Sequence, residues 1–302
     1  GGLGNDTYLF GRGDGQDALK AQKDATAGKL NTLRFKDGVA AADVQVSRDG
    51  TALLLTIAGS GDSLRAEGFF SSNNPGNDSN PLQQVQFADG TVWNLAALTA
   101  RASTGTDASE VLKGTDGADT IYAGAGNDTL QGLGGDDLLH AQDGEDTLRA
   151  GDGADQLWGG AGDDALYGDA GDDVLDGRGG ADHLVGGAGS DTYRIYKEGG
   201  SRPVETLIAE TWREQDLNRI ELQGEFNADD LQLEFDGRDL LRRLNDEGDV
   251  VRFAGFDPRA EGMQAPVSEI NLSWYGVTLS FEDLLARGVR IIGTPDNDVL
   301  TG

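Results

Sequence analysis

The stretch Gly159-Gly-Ala-Gly-Asp-Asp-Ala-Leu-Tyr167 is one copy of a nine-residue unit that decides the fold. Ten such units follow one another without insertion from Gly105 to Arg194. The fourth place of the unit is glycine in every copy except the first, which has Ala108, and the sixth place is always acidic. A strict period of this kind indicates a solenoid in which each unit supplies one small structural element.

The chemistry of the unit predicts a turn followed by a very short strand. Its first six residues are rich in glycine, which tolerates the positive φ angles and close backbone packing of tight turns, whereas Ala165-Leu166-Tyr167 can only form a short strand. Two units make one coil with a strand on each face, so ten units predict about five coils of a parallel β-roll. The eighth-place residues then form two facing ladders, Ile121, Leu139, Leu157, Leu175 and Tyr193 on one sheet and Leu112, Leu130, Leu148, Leu166 and Leu184 on the other.

The acidic sixth places form a column at each edge of such a roll, and their spacing favours calcium. Stacked strands lie about 4.7 to 4.9 Å apart, and two opposed oxygens around Ca²⁺ span about 4.6 to 5.2 Å, whereas Mg²⁺ needs shorter distances and keeps its waters. We therefore expect several Ca²⁺ ions, up to about eight in the central roll, bound by carboxylates and by carbonyl groups left exposed at the glycines. The expected ligands are Asp119, Asp128, Asp137, Asp146, Asp155, Asp164, Asp173, Asp182, Asp191, Gly117, Gly126, Gly135, Gly144, Gly153, Gly162, Gly171, Gly180 and, in a matching unit near the start of the chain, Asp6. Glu110, the sixth place of the first unit, has a longer side chain and makes that site doubtful.

The composition of the whole chain agrees with cation binding. Its 302 residues include 53 Asp and Glu against 24 Lys and Arg, a net charge of −29 that argues against nucleic acid and anionic membrane surfaces as partners. Cysteine is absent and there are only two histidines, so thiolate and zinc sites are excluded. No apolar run is long enough to span a membrane. Residues 105–194 hold 20 acidic and 4 basic residues and little core, so we expect this segment to remain unfolded without calcium.

The repeat pattern divides the chain into five segments. Residues 1–9 match the last unit of the central block, so 1–17 predict the end of an upstream block, and 293–302 predict the start of a downstream block. Residues 18–104 and 195–292 lack the unit and predict two small antiparallel β domains around the β-roll of 105–194. In the first domain, Asp89-Gly90 predicts a type I′ hairpin turn. The second has a similar hairpin at Asp236-Gly237 and a short helix from Phe281 to Arg287.

The units resemble the GGxGxDxUx nonapeptide of RTX proteins, the haemolysin-type calcium-binding repeats. GGAGDDALY at 159–167, GGAGSDTYR at 186–194 and GGLGNDTYL at 1–9 carry this resemblance. It implies a right-handed parallel β-roll, bacterial type I secretion in an unfolded state, and folding on meeting millimolar calcium outside the cell. The segment Val85-Gln-Phe-Ala-Asp-Gly-Thr-Val-Trp93 resembles the haemolysin-type calcium-binding-related domains that lie between such blocks.

Three functional hypotheses follow, none of them catalytic. The first is a secreted or cell-surface structural module of a larger RTX protein, in which calcium stiffens alternating rolls and β domains into a spacer or scaffold. The second is an adhesin-type module whose β domains bind a glycan or cell-surface partner. The third is the accessory region of an RTX toxin or secreted hydrolase. No nucleophile, P-loop or metalloprotease motif indicates an enzyme, and the aromatic candidates for glycan stacking are Trp93, Trp212, Trp274 and Tyr275.

Overall fold

The computed structural model describes residues 2–196, 205–209, 217–223, 232–235, 240–243, 250–253, 269–272, 277–280 and 289–291. The predicted helix at 281–287, the turn at 236–237, the start of the downstream block at 293–302 and the side chains of Trp212, Trp274 and Tyr275 lie outside these residues. The chain forms two compact units, Gly1–Gly105 with Leu112–Tyr122, and Thr106–Val111 with Ala123–Gly302.

The first unit contains two four-stranded sheets and one helix. The strands are β1 (Thr7–Phe10), β2 (Gln16–Leu19), β3 (Thr32–Phe35), β4 (Val44–Asp49), β5 (Ala52–Ile57), β6 (Ser63–Ala66), β7 (Gln84–Gln86) and β8 (Val92–Asn94). The helix α1 (Leu95–Ala102) follows, and short 3₁₀ turns lie at Ala41–Asp43 and Ser71–Asn73. The Asn94 side chain accepts a hydrogen bond from the Ala97 N–H at 2.9 Å and caps the helix.

The two sheets of the first unit have the strand orders β1-β3-β7-β8 and β2-β6-β5-β4. The hairpins β4–β5, β5–β6 and β7–β8 are antiparallel, the last of them at the predicted position, and the structure adds the parallel pairs β1–β3, β3–β7 and β2–β6. Residues 1–17 thus supply β1 and the first half of β2, which are edge strands of the two sheets. Apolar side chains from both sheets share one core, which includes Phe10, Leu33, Leu55, Phe87 and Trp93.

The turn between β7 and β8 departs from the prediction. The hairpin is present, but a type I′ turn needs a positive φ at both central residues, and only Gly90, at +90°, has one. The Phe87 N–H donates to the Thr91 carbonyl at 2.9 Å, so the connection is longer than two residues. The predicted turn type is wrong because Asp89 keeps an ordinary negative φ and leaves the left-handed position to glycine alone.

The β-roll lies mainly in the second unit, although Leu112–Tyr122 at its start are grouped with the first. Its strands are β9 (Val111–Lys113), β10 (Thr120–Ala125), β11 (Thr129–Gly134), β12 (Leu138–Asp143), β13 (Thr147–Asp152), β14 (Gln156–Ala161), β15 (Ala165–Ala170), β16 (Val174–Gly179), β17 (His183–Ala188) and β18 (Thr192–Tyr196). Odd-numbered strands form one sheet and even-numbered strands the other, all in parallel register with an offset of 18 residues. The two predicted ladders are confirmed by the pairs Leu148↔Leu166 and Leu157↔Leu175, whose side chains are fully buried.

The same two sheets continue beyond the last nonapeptide. The further strands are β19 (Glu205–Ile208), β20 (Arg219–Gln223), β21 (Gln232–Phe235), β22 (Leu240–Arg243), β23 (Val250–Phe253), β24 (Glu269–Leu272), β25 (Val277–Ser280) and β26 (Val289–Ile291). Parallel pairing extends one ladder from Leu184 to Ile208 and the other from Tyr193 to Ile220. The pairs β21–β22, β22–β23 and β24–β25 are antiparallel, and β21 and β22 are the strands predicted on either side of Asp236-Gly237.

Candidate metal centre

The sixth-place carboxylates of the inner coils are buried in the roll. Each aspartate of this column from the third unit onward is at most 2% exposed, namely Asp128, Asp137, Asp146, Asp155, Asp164, Asp173, Asp182 and Asp191. Oδ1 accepts a hydrogen bond from the backbone N–H of the sixth-place residue one coil earlier in Asp128, Asp146, Asp155, Asp164, Asp173, Asp182 and Asp191. Asp155 Oδ1, for example, accepts from Asp137 N at 2.6 Å, and Asp164 Oδ1 accepts from Asp146 N at 2.8 Å. One oxygen of each of these carboxylates therefore ties successive coils together.

The second oxygen of these carboxylates points into the roll. The Oδ2 atoms of Asp128, Asp146, Asp155, Asp164 and Asp173 are buried and accept no hydrogen bond. A buried, ionised oxygen without a donor is costly, because the charge loses its hydration and gains nothing in return. This arrangement calls for a cation beside each Oδ2.

In three units a backbone carbonyl of the next coil lies near the Oδ2 atom of the sixth-place aspartate. A Cβ atom added to Gly132, Gly159 or Gly168 would collide with Oδ2 of the aspartate in its own unit. The same Cβ would lie 2.6, 2.9 or 2.5 Å from a carbonyl oxygen of the next coil, that of Ala150, Gly177 or Gly186 respectively. The missing side chain at the first place therefore lets a carboxylate oxygen and a carbonyl oxygen approach the same point, and hard oxygen donors of this kind suit calcium.

Within the described residues, no group of three or more His, Asp or Glu side chains stands close enough together to hold a metal ion. This agrees with the geometry of the columns, because successive carboxylates of one edge are separated by a full coil. An ion between coils must complete its shell with carbonyl groups. Calcium accepts such carbonyl ligands, so the residues present fit it.

The carboxylates at the outer ends behave differently from the inner ones. Asp119 Oδ2 accepts from the Thr115 N–H at 2.6 Å and from the Thr115 hydroxyl at 2.7 Å. Glu110 Oε2 accepts from Thr106 N at 2.6 Å, and Asp6 Oδ2 accepts from Gly2 N at 2.8 Å. Each of these side chains is satisfied within its own turn, so the structure separates Asp119 and Asp6 from the inner column.

The fourth-place glycines form the corners where one coil packs on the next. Gly144, Gly153, Gly162, Gly171 and Gly180 have φ between +126° and +146°, and a Cβ on any of them would collide with the fourth-place carbonyl one coil earlier. Gly126 and Gly135 also have positive φ, at +110° and +94°, whereas Gly117 has open space around it. These positions require glycine both for the backbone angle and for the close approach.

Gly162→Ala is expected to destabilise the roll by about 1 to 3 kcal/mol, the cost of a strained backbone, with a further contribution from the contact with the Gly144 carbonyl. The neighbouring Ala161→Gly is the matched control and should cost only about 0.5 to 1 kcal/mol. Thermal unfolding in saturating calcium measures both. Equal effects of the two substitutions would contradict the assigned role of the fourth place.

The fifth-place side chains form a second, exposed column. Asp163 Oδ1 accepts from Ala181 N at 2.8 Å, and Asp136 Oδ1 accepts from Ala154 N at 3.0 Å, in each case from the following coil. The fifth-place residue is thus part of the turn. In the pair Asp163-Asp164, only the second carboxylate is directed into the roll.

Burial shifts the ionisation of the inner carboxylates. Loss of hydration raises the pKa of Asp164 and of Asp173 to about 7 and also raises the pKa of Asp128, Asp146 and Asp155, while the hydrogen bond from the preceding coil acts in the opposite direction. A raised pKa in the folded state favours the protonated form. The calcium-free roll therefore gains stability when these groups are protonated and loses it as the pH rises through about 7.

We expect protons to supply part of the stabilisation that calcium gives at these side chains. At pH 5 the calcium concentration needed for half-maximal folding should be lower than at pH 8, because protonation already stabilises the folded roll, and in chelator the chain should show more residual β structure at pH 5 than at pH 8. Calcium titrations followed by circular dichroism at the two pH values measure both effects. A calcium midpoint that does not change with pH would contradict the burial of these ligands.

Sequence reasoning found the carboxylates but missed their partners. The first-place residues Gly132, Gly159 and Gly168, and the carbonyls that face them, were not among the predicted ligands. A signal was present, because a glycine or alanine recurs two residues after each eighth-place residue of the preceding unit, which places both on the same face of a strand. Reading the strand as continuing into the first place of the next unit would have directed these residues into the roll.

The fold and the site define a class of protein, a parallel β-roll of stacked nonapeptides with oxygen-only cation sites between coils. The RTX calcium-binding nonapeptide repeat model matches four overlapping segments, 104–139, 131–166, 140–175 and 158–193. The haemolysin-type calcium-binding-protein-related domain model matches residues 53–97. Residues 104–193 are therefore RTX calcium-binding repeats.

One protein resembles part of this chain in sequence, and two solved structures align with it at low TM-scores. The iron-regulated protein FrpA of Neisseria meningitidis serogroup C is 33% identical over 106 residues, which are 35% of this chain and 9% of that protein. The AlgE6R3 subunit of the Azotobacter vinelandii mannuronan C5-epimerase aligns with a TM-score of 0.28 at 21% identity, covering 65% of this chain and 94% of the subunit. The extracellular lipase LipA of Serratia marcescens aligns with a TM-score of 0.22 at 16% identity, covering 89% of this chain and 38% of the lipase. None of the helices in the part of the chain that the structure describes has the length and apolar character needed to cross a bilayer.

Proposed function

We propose that this chain is an extracellular structural module of a larger secreted RTX protein, which folds on binding calcium and then acts as a stiff spacer or scaffold. The observation that carries the proposal is the column of buried carboxylates, most with one oxygen bound to the preceding coil and, in Asp128, Asp146, Asp155, Asp164 and Asp173, a second oxygen without a donor. Calcium would join the coils at these oxygens. A roll joined in this way resists both bending and unwinding.

The predicted ion count of up to about eight belongs to this proposal. The inner aspartates are its strongest members, and Asp6 and Asp119 are the weakest because their carboxylates are already satisfied by their own turns. Magnesium is expected to be a poor substitute, since it holds its waters and prefers shorter bonds.

Secretion through a type I system is part of the same proposal. Extracellular calcium modules bind at about 10⁻⁴ to 10⁻³ M, so the roll would remain unfolded at the low calcium concentration inside a cell. The net charge of −16 on residues 105–194 opposes compaction in the absence of cations. The proposal includes no catalytic role.

Glycan binding by the first β domain loses its main candidate residue. Trp93 is only 5% exposed and packs edge-on against Phe87, with ring centroids 4.6 Å apart. The Arg101 guanidinium covers the Trp93 ring at 4.2 Å. This indole is therefore part of the domain core and has no free face for stacking on a sugar.

A distance measurement tests the stiffening. The chain has no cysteine, so Ala108→Cys and Ala181→Cys introduce two unique, exposed labelling sites on the same edge, four coils apart. In calcium, four strand spacings place them about 20 Å apart, whereas a flexible, glycine-rich chain of this length averages about 45 Å. Double electron–electron resonance between spin labels should show a narrow distribution near the first value in calcium and a broad one in chelator. A broad distribution in saturating calcium would refute the spacer function.

A further inference from the structure

The carbonyl group of Gly114 lies where one edge of the roll begins. Gly114 is the first-place residue of the second nonapeptide, as Ala150 and Gly186 are of later units on the same edge. The Ala150 carbonyl approaches the same point as Oδ2 of Asp137, one coil earlier. The Gly186 carbonyl and Oδ2 of Asp173 are related in the same way. An inner first-place carbonyl thus lies beside a carboxylate of the preceding coil, where we place a cation.

The chain before Gly114 supplies no such carboxylate, and an arginine takes its place. Residues 96–104, which an earlier unit would occupy, contain no Asp or Glu and form most of the helix α1. The Gly114 carbonyl accepts a hydrogen bond from Nη1 of Arg48, in β4. The same nitrogen donates to the Lys113 carbonyl at 3.1 Å. A permanent positive charge therefore lies beside the first carbonyl of this edge.

The Arg48 guanidinium is surrounded by oxygen atoms. Its Nε donates to the Gly50 carbonyl at 3.0 Å, and its Nη2 donates to Asn73 Oδ1 at 2.8 Å. Together with the carbonyls of Lys113 and Gly114, these groups place four neutral oxygen acceptors around one cation. Backbone and side-chain amide carbonyls are also ligands that calcium accepts.

Two carboxylates add negative charge near this guanidinium. Burial lowers the pKa of Arg48, and the charges of Asp119 and Asp116 raise it. Asp119 Oδ2 already accepts from the N–H and the hydroxyl of Thr115. The first carboxylate of this edge therefore differs from the inner ones, whose second oxygen calls for a cation.

The loop that carries Asn73 has an unusual backbone. Ser72 and Asn73 have φ angles of +54° and +51°, which residues other than glycine adopt uncommonly. Both oxygens of Asn73 are used at the start of the roll, because its carbonyl accepts from Asp116 N at 3.3 Å while its Oδ1 accepts from Arg48. Strained backbone persists where surrounding contacts hold it in place, and here those contacts join the loop to the first turn of the roll.

We propose that Arg48 occupies a cation site at the start of the roll and takes the place there of a calcium ion. Because the guanidinium is a covalent part of the chain and is always charged, it needs no carboxylate to hold it as a free ion would. The turn at 114–119 is then held without calcium, and calcium binding on this edge begins at Asp137. This inference rests on the proposed calcium binding and deepens it by naming the residue that replaces the first ion.

Arg48→Gln and Arg65→Gln form a matched pair, since each removes one guanidinium from the same sheet and Arg65 is paired with Asp49. Native mass spectrometry of the full chain in calcium counts the bound ions. We expect Arg48→Gln to bind one ion more than the unsubstituted chain, because it vacates a place lined by oxygen atoms and adds an amide oxygen that calcium accepts. Arg65→Gln should bind the same number as the unsubstituted chain. An unchanged count in Arg48→Gln, or an equal gain in both variants, would overturn the inference.

Hydrogen exchange of the unsubstituted chain in chelator decides the question if a variant fails to fold. Thr115 N and Asp116 N, which donate to Asp119 Oδ2 and to the Asn73 carbonyl, should exchange about tenfold or more slowly than Asp137 N. The turn at 114–119 contains no strand residue, so its retention is compatible with loss of β structure in the roll. Equal exchange at Thr115 N and Asp137 N would overturn the inference. An unsubstituted chain that binds no calcium would instead refute the proposed function, so the two failures are distinguishable.

Discussion

In chelator, residues 105–194 are expected to lose their β structure, and about 1 to 5 mM calcium, the range of extracellular sites, should restore it cooperatively. The segment has a net charge of −16, and nine of its carboxylates are at most 2% exposed when folded. Its core has about one large apolar side chain per nine residues, too little to offset an ordering cost of about 1 to 2 kcal/mol per residue. Calcium binding must therefore supply the missing free energy of folding. Far-UV circular dichroism follows the transition.

Hydrogen exchange on the full chain shows which residues lose their structure in chelator, and the first unit serves as the internal control. The first unit has a continuous apolar core, with Phe10, Leu53, Leu55 and Phe69 at most 1% exposed. Its amides should remain protected in chelator, whereas Asp137 N and Asp146 N in the roll should exchange at rates close to those of an unfolded chain. Magnesium at the same concentration should not restore their protection. Equal protection of the roll in chelator and in calcium would refute calcium-dependent folding.

The sequence was sufficient to predict those features of the roll that repeat with a fixed period. An interval of nine residues placed Leu139, Leu157 and Leu175 in one ladder and assigned the sixth-place aspartates to the edges, because every coil repeats the same geometry. It could not show that each carboxylate divides its two oxygens between the preceding coil and the interior. That division depends on the stacking of coils, which no single unit encodes.

The features that were missed lie where the period breaks. The Asp6 N–H donates to Oδ1 of Asn31, 25 residues later, and the Asp191 N–H donates to Oδ1 of Asn218, 27 residues later, whereas the spacing within the roll is 18. Because of these longer spacings, a search for a fixed period does not find Asn31 or Asn218. The parallel pairs β1–β3 and β18–β20 were missed for the same reason, since the predicted β domains were read as separate from the roll that they continue.

Asp155→Ala is expected to impair calcium-induced folding far more than Asp152→Ala. Asp155 is 1% exposed, and its Oδ1 accepts the Asp137 N–H at 2.6 Å while its Oδ2 is directed into the roll. Alanine leaves that buried N–H without an acceptor, at a cost of about 1 to 3 kcal/mol, and removes a calcium ligand as well. Asp152 is exposed and contributes to the roll through its backbone carbonyl, which accepts the Gly135 N–H at 2.8 Å and is retained in alanine.

The two aspartates differ in place but share charge and side chain, so their comparison isolates the sixth place of the unit. Both substitutions remove one negative charge, and simple relief of repulsion would help folding equally in each. We expect the calcium midpoint of Asp155→Ala to rise by about tenfold or more, the equivalent of about 1.4 kcal/mol, and that of Asp152→Ala to stay close to the midpoint of the unsubstituted chain. Calcium titrations followed by circular dichroism measure both midpoints. Equal midpoints would show that bulk charge, and not the inward-facing column, controls folding, and the assignment of the sixth place as the calcium ligand would then be wrong.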